Sequence, residues 1–306
     1  MSATLGTMID ETLINLAGYT VNQDRSTYLT AAVTSLTSPS SSPTVLSVAS
    51  TDNLGKGIIE IDTELMWVDS FDRIANTATI APYGRGYLGT TAATHAVDAR
   101  VTVSPTFPRS TVQKAINDTI GAMGSSISAV KQTTFTWNAA VNTYGFNNLN
   151  IENILRMSWQ DIGPSEEWIG IRRWDFDPQA EATTWGAGAQ TITIYDYITA
   201  GRTVKVMYAT EPTTMSDTSD VFTTTTGLPA SCRDVVTLGA AYRLVSYLDP
   251  ARVSQTSPQA DEIDSKRPFG SSANVTRQLY TLYSQRLAEE TARQQNQFPP
   301  RVHYTR

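Results

Sequence analysis

Apolar positions recur at intervals of three and four in four separate stretches of the chain. Each stretch predicts an α-helix with one apolar face. In the first, residues 2–18, Leu5, Met8, Ile9, Leu13 and Leu16 line one side, and Gly18 is placed to end the helix. In the second, residues 108–130, the stripe is Val112, Ala115, Ile116, Thr119, Ile120, Met123 and Ile127, and Ser110 with Gln113 has the form of a capping box. The third, residues 229–249, opens on Pro229 with Ser231 as N-cap and Asp234 three residues later. It carries Val235, Leu238, Tyr242, Val245 and Leu248, and stops at Asp249-Pro250. The fourth spans 272–295, with Val275, Leu279, Leu282, Tyr283, Arg286 and Leu287 on its face. It must end before Pro299-Pro300, because proline has no N–H and drives the preceding residue out of the α region.

Between the helices the period drops to two. Residues 28–104 hold short β-branched runs at Thr44–Val48, Ile58–Val68, Thr77–Ile80 and Arg100–Val103. Apolar and acidic residues alternate from Ile59, which predicts a strand with one face in water. The block reads as a small antiparallel barrel or sandwich. Residues 132–227 hold further runs at Thr133–Trp137, Ile154–Trp159, Trp168–Phe176, Gln190–Tyr195 and Thr203–Tyr208, with five of the six tryptophans, and read as a sandwich. A helix with one narrow apolar stripe is not stable alone in water. The economical architecture is therefore α+β: a discontinuous four-helix bundle from residues 1–27, 105–131 and 228–296. Two antiparallel β domains, 28–104 and 132–227, are inserted in it, and an arm of residues 297–306 follows.

Composition narrows the classes. At 306 residues the chain suits two or three compact units. It has no run of about 18 apolar residues, which predicts no membrane-spanning helix. The start, Met1-Ser2-Ala3-Thr4-Leu5, lacks the basic and apolar regions of a signal peptide. The single cysteine, Cys232, fits a protein made in a reducing cytoplasm. The net charge of −6 is unevenly spread: residues 266–306 carry seven cations, six of them Arg, against Glu289 and Glu290, a net +5. The other 16 basic and 27 acidic residues give −11. An acidic body with a basic, arginine-rich end predicts self-assembly or an acidic partner.

Candidate chemistry is sparse. His95 and His303 are the only histidines, and no zinc-ligand spacing is present. Cys232 stands at a helix start, where the dipole can lower a thiol pKa, but no nucleophile motif surrounds it; a buried small residue is the simpler reading. Gly84-x-Gly86-x-x-Gly89 matches the dinucleotide fingerprint by letter without the flanking strand and crossover helix, so it reads as a glycine-rich β-loop. Asp175 and Asp177, near Glu166 and Glu167 and among tryptophans, have the ingredients of a sugar-binding or glycosidase site, and also of a solvated strand edge. Glu60, Asp62 and Glu64 on one strand face suit calcium or plain solvent. The expectation is a protein with no catalytic, cofactor or metal site, and not an enzyme.

The stretch Ile58–Val68, followed by Gly84-Arg85-Gly86-Tyr87-Leu88-Gly89-Thr90-Thr91-Ala92-Ala93-Thr94-His95 and Val101-Thr102-Val103-Ser104-Pro105, resembles a β module of virion proteins of tailed bacteriophages. The helix at Val112-Gln113-Lys114-Ala115-Ile116-Asn117 and the closing Phe298-Pro299-Pro300-Arg301 are similar to phage neck proteins, above all the head-to-tail adaptor (connector) class. The resemblance is one of layout across most of the chain. It implies a helical bundle and a ring beneath the portal, following the portal's twelvefold symmetry and leaving a channel for DNA. It also implies a C-terminal segment on the portal protein, here Arg293, Phe298, Pro299, Pro300, Arg301, Val302, His303, Tyr304 and Arg306. Further implications are a downstream neck or tail protein as partner, viral DNA passing without sequence-specific binding, no membrane, and a place in the virion neck after assembly in the host cytoplasm. Two large β insertions depart from small adaptors. They leave open a tail hub or fibre-attachment protein, or a tail-associated receptor- or glycan-binding protein using the tryptophan-rich domain.

Overall fold

The computed structural model describes residues 3–17, 25–34, 43–147, 149–161, 167–186, 188–246 and 271–299. Among them are six α-helices and three antiparallel sheets. In chain order the helices are α1 (Leu5–Asn15), α2 (Arg109–Met123), the short α3 (Ala182–Trp185) and α4 (Phe222–Thr226), α5 (Arg233–Ser246) and α6 (Ser271–Gln297). All four helices expected from periodicity are present among the described residues. α2 stops at Met123, short of residue 130: Gly124 donates its N–H back to Gly121, and Ile127 to Met123. Ser110 lies inside its first turn rather than at the cap, and the N–H of Arg109 is taken by the carboxylate of Glu60. In α5 the most deeply buried positions are Val235, Val236, Ala240, Ala241, Leu244 and Val245, while Leu238 and Tyr242 are only half-buried. The small alanines let that arc approach its surroundings closely, so the buried face is wider than the expected stripe. Leu248, Asp249 and Pro250 lie outside the described residues.

The chain divides into two compact units. One comprises Gly6–Ile116 and Thr237–Tyr280; the other comprises Met1–Leu5, Asn117–Val236 and Thr281–Arg306. The first contains a six-stranded sheet built from β1 (Arg25–Tyr28), β2 (Thr44–Ser47), β3 (Gly57–Ile61), β4 (Glu64–Asp72), β5 (Thr77–Ile80) and β6 (Arg100–Val103), in the order β1-β6-β3-β4-β5-β2. Its core gathers Leu46, Ile59, Ile61, Met66, Val68, Ile80 and Val101. Among the described residues the edge strands meet through the bridge Leu29–Val48 and its neighbours, without a continuous ladder, and the sheet is not closed into the barrel expected as one alternative.

The run Ile58–Val68 is not one strand. Asp62 and Thr63 form a two-residue turn, with Asp62 at φ 54°, and pair β3 with β4 as a hairpin. Of the acidic residues expected on a wet face, Asp62 on the turn is exposed, whereas Glu60, 4 % exposed, and Glu64, 0 %, are buried.

The second unit holds a four-stranded and a three-stranded sheet. The first pairs β7 (Ala129–Thr136), β9 (Asn153–Gln160), β10 (Trp168–Gly170) and β13 (Thr203–Thr210) in the order β10-β9-β13-β7. The second pairs β8 (Thr143–Phe146), β11 (Trp174–Asp177) and β12 (Gln190–Ile194) in the order β11-β12-β8. Residues of both sheets share one core: Phe146, Ile154, Met157, Trp174, Ile192, Ile194, Val204 and Val206. That is the sandwich read from strand spacing. The expected strand Trp168–Phe176 is split between the two sheets. At the corner Asp196 accepts the N–H groups of Arg172 and Arg173 and the Nε–H of Arg173, fixing the bend where ladder bonds end. Three amide side chains act as substitute strand edges in this unit, each bonding both the N–H and the C=O of one residue. They are Asn117 on Met215, Gln190 on Ile151 and Gln294 on Ser128.

Candidate functional site

Of the residues assigned to portal contact, Arg293, Phe298 and Pro299 are described; Pro300, Arg301, Val302, His303, Tyr304 and Arg306 lie outside the described residues. α6 ends at Gln297, before the proline pair, as the sequence requires. Its inward stripe runs through Leu279, Tyr283, Leu287, Glu290, Gln294 and Phe298. Leu282, expected on that stripe, is 42 % exposed, because it sits about 100° round the helix from Tyr283. The stripe turns polar toward the C-terminal end, and there polar groups fix the helix. Gln294 accepts from the N–H of Ser128 at 3.1 Å and donates to its carbonyl at 2.7 Å. Glu290, 6 % exposed, accepts from the hydroxyl of Ser231 at 2.6 Å, with Arg286 and Arg293 at 3.8 and 3.7 Å. Ser231 therefore serves this contact.

Two open clefts flank this helix end. One, of about 210 Å³, is lined by Val130, Leu228, Pro229, Arg293, Gln297 and Phe298. The other, of about 170 Å³, lies between Phe298 and Val130, Glu152, Leu155 and Ala209. Phe298, half-buried, lines both. The C-terminal end of α6 thus places half-buried Phe298 and an exposed Arg293 beside one mainly apolar and one mixed hollow.

Elsewhere the sequence-level candidates resolve into structure. Burial, with Glu290 adding to it, pushes the Cys232 thiol up to about 12, so it carries no thiolate. The glycine-rich loop does bind an anion, and that anion is the chain's own Glu64. Arg85 Nε and Gly86 N–H donate to Oε1 at 2.6 and 3.0 Å. Arg85 Nη2, Ala93 N–H and His95 Nε2 reach Oε2, each at 2.9 Å. Burial raises the Glu64 carboxyl, but these donors outweigh it and hold it at about 2. His95 Nδ1 meets Asp62 Oδ2 at 2.7 Å. With both ring nitrogens on carboxylates, His95 has no lone pair free to act as a general base. Among the described residues no group of His, Cys, Asp or Glu is arranged to hold a metal ion.

The tryptophans serve packing. Trp137 and Trp174 are buried, Trp159 packs on the sandwich core, Lys205 lies 3.9 Å over the ring of Trp168, and Trp185 covers the backbone of Gly145. Asp175 and Asp177 are exposed and accept the N–H groups of Phe176 and Gln179. Glu166 lies outside the described residues. No helix among the described residues is long and apolar enough to cross a membrane.

What sequence reasoning missed was the Glu64 cluster. Its signal was present in part: an acidic residue inside a buried-strand pattern, followed by Arg85 and His95 in a glycine loop.

Compared with known proteins, the chain matches no protein-family model and no curated protein.

Proposed function

We propose that the chain is a non-enzymatic structural protein of a tailed-phage virion. In this reading it is a head-to-tail adaptor that assembles as a ring under the portal, joins the capsid to a downstream neck or tail protein, and lets DNA pass. α1, α2, α5 and α6 form the four-helix bundle of the ring subunit, carrying the two β blocks as insertions. The portal's twelvefold symmetry for that ring is what the resemblance to adaptors implies; a head-to-tail interface is the kind that closes into a ring. A net charge of −6 keeps the channel from holding its DNA, which needs clustered cations.

The observation that carries this reading is the pinned end of α6. Gln294 and Glu290 hold the helix to Ser128 and Ser231, so residues 300–306, with Arg301 and Arg306, follow directly on a fixed point beside the Phe298 clefts. An attachment segment transmits force only if its root is fixed, and this root is.

The test is deletion of residues 300–306, which removes none of these anchors. The truncated chain should unfold at the same denaturant midpoint as the full chain and fail to join filled heads. Normal joining by the truncated chain removes the attachment role from this segment.

A further inference from the structure

Four charged side chains meet inside the first β block. Asp62 stands on the β3–β4 turn, Glu64 on β4, Arg85 in the glycine loop, and His95 beyond it. Arg109, at the start of α2, is the other cation acting on Asp62, and its N–H is held by Glu60. The backbone of His95 is fixed independently, exchanging N–H and C=O bonds with Val33 at 3.0 and 2.8 Å. The side chains differ sharply in access to water. Those of His95 and Glu64 are 0 % exposed and that of Arg85 3 %, whereas that of Asp62 is 61 % exposed.

A neutral imidazole has one N–H and one lone pair. It can satisfy only one of the two carboxylates at 2.7 and 2.9 Å; the other would face a lone pair. Both contacts together require the doubly protonated ring. When the ring loses a proton, the burial difference decides which contact survives. Glu64 has no water to replace a lost donor, while Asp62 is already largely hydrated.

We propose that His95 is a proton-dependent tether of the β3–β4 turn. Protonated, it ties Asp62 to the buried Glu64–Arg85 pair. On losing the Nδ1 proton to solvent it keeps Nε2–H on Glu64 and releases Asp62, freeing the turn while the glycine loop stays closed. Burial opposes the charged ring, but its bonds to Asp62 and then Glu64 prevail and raise its pKa above the ordinary 6.5. The sign follows. The tether is complete below pH 6.5 and is lost as the pH rises through the raised, folded-state value.

The device is independent of the adaptor reading, and its test uses the full chain. The chain has two histidines, so the His303→Gln variant identifies the His95 signals in an NMR titration. The expected result has three parts. His95 titrates above 6.5, and its neutral form is the Nε2–H tautomer. Amide exchange at Thr63 then speeds up, relative to the amides of Gly86 and Ala93, by up to about tenfold per pH unit between 6.5 and the folded-state pKa. Asp62→Asn, at a largely exposed position, should keep the fold, lower the His95 pKa and leave Thr63 exchange insensitive to that titration. A His95 that titrates at or below 6.5, a neutral Nδ1–H tautomer, or Gly86 and Ala93 loosening in step with Thr63 would each overturn the proposal.

Discussion

Five donors converge on the two oxygens of Glu64, and none of its surface reaches water. Removing one member of a buried charged pair costs about 3–5 kcal/mol, because the other is left uncompensated. Glu64→Gln should therefore lower the stability of the chain by about 3 kcal/mol in a denaturant titration; a loss under about 1 kcal/mol would mean that the cluster contributes little. Its pH signature runs opposite to that of His95. A carboxylate held at about 2 contributes stability that is complete above its ordinary 4.5 and disappears as pH falls toward 2. In an acid titration followed by circular dichroism, that midpoint should move to higher pH in Glu64→Gln relative to the parent. Gly84 is a second sensitive position. A Cβ there would lie 2.8 Å from the carbonyl oxygen of Ala81 and 3.0 Å from that of Trp67, both backbone atoms. Gly84→Ala should cost about 1–3 kcal/mol, whereas Gly55→Ala, which meets nothing within 4 Å, should be close to neutral. The residue scale was the least legible in the sequence. Alternation of Ile59, Glu60 and Ile61 looks the same whether the acidic side faces water or faces donors. Only the partners, at Arg85, His95 and Arg109, many residues further along the chain, distinguish the two.

At the scale of elements, periodicity located all four long helices and most strands, because one-sided burial writes itself into spacing. It failed where a backbone feature interrupts an unbroken apolar pattern. The Asp62-Thr63 turn and the Asp196-bound corner at Arg172 and Arg173 both lie inside runs that read as single strands. The inward face of the terminal half of α6 went unread for a related reason. Its inward stripe is carried by Glu290 and Gln294, which an apolar-face search passes over. The structure makes these two residues the fasteners of the helix end. Gln294→Ala removes two hydrogen bonds to Ser128 and should cost about 1–2 kcal/mol. It should also raise amide exchange from Glu290 to Gln297 while leaving α2 unchanged. Unaltered protection in that stretch would show that the apolar contacts of Tyr283 and Leu287 suffice to hold it. Trp185 provides the parallel case in the sandwich. It covers Gly145, where a Cβ would come 2.8 Å from the indole ring, so Gly145→Ala should displace the ring and change the tryptophan fluorescence.

For the whole molecule, the two compact units are each assembled from distant parts of the chain, and α1, α2, α5 and α6 each run from one unit into the other. The alternation of helical and two-residue periods made the mixed α+β class legible, with strands set between helices along the chain; the division into these two units was not read from it. Partners and assembly state were not legible in the same way. They depend on surfaces whose composition resembles any other surface, and here they rest on the pinned end of α6 and on the basic stretch that follows it. The proposed function places the protein between head and tail. Cryo-electron microscopy of virions in which this chain carries a tag on a surface loop tests it most directly. An adaptor gives a closed ring of tag density in the neck, directly beneath the portal, with residues 300–306 reaching the portal itself. Tag density at the tail tip, or no tag density in the neck, would contradict it.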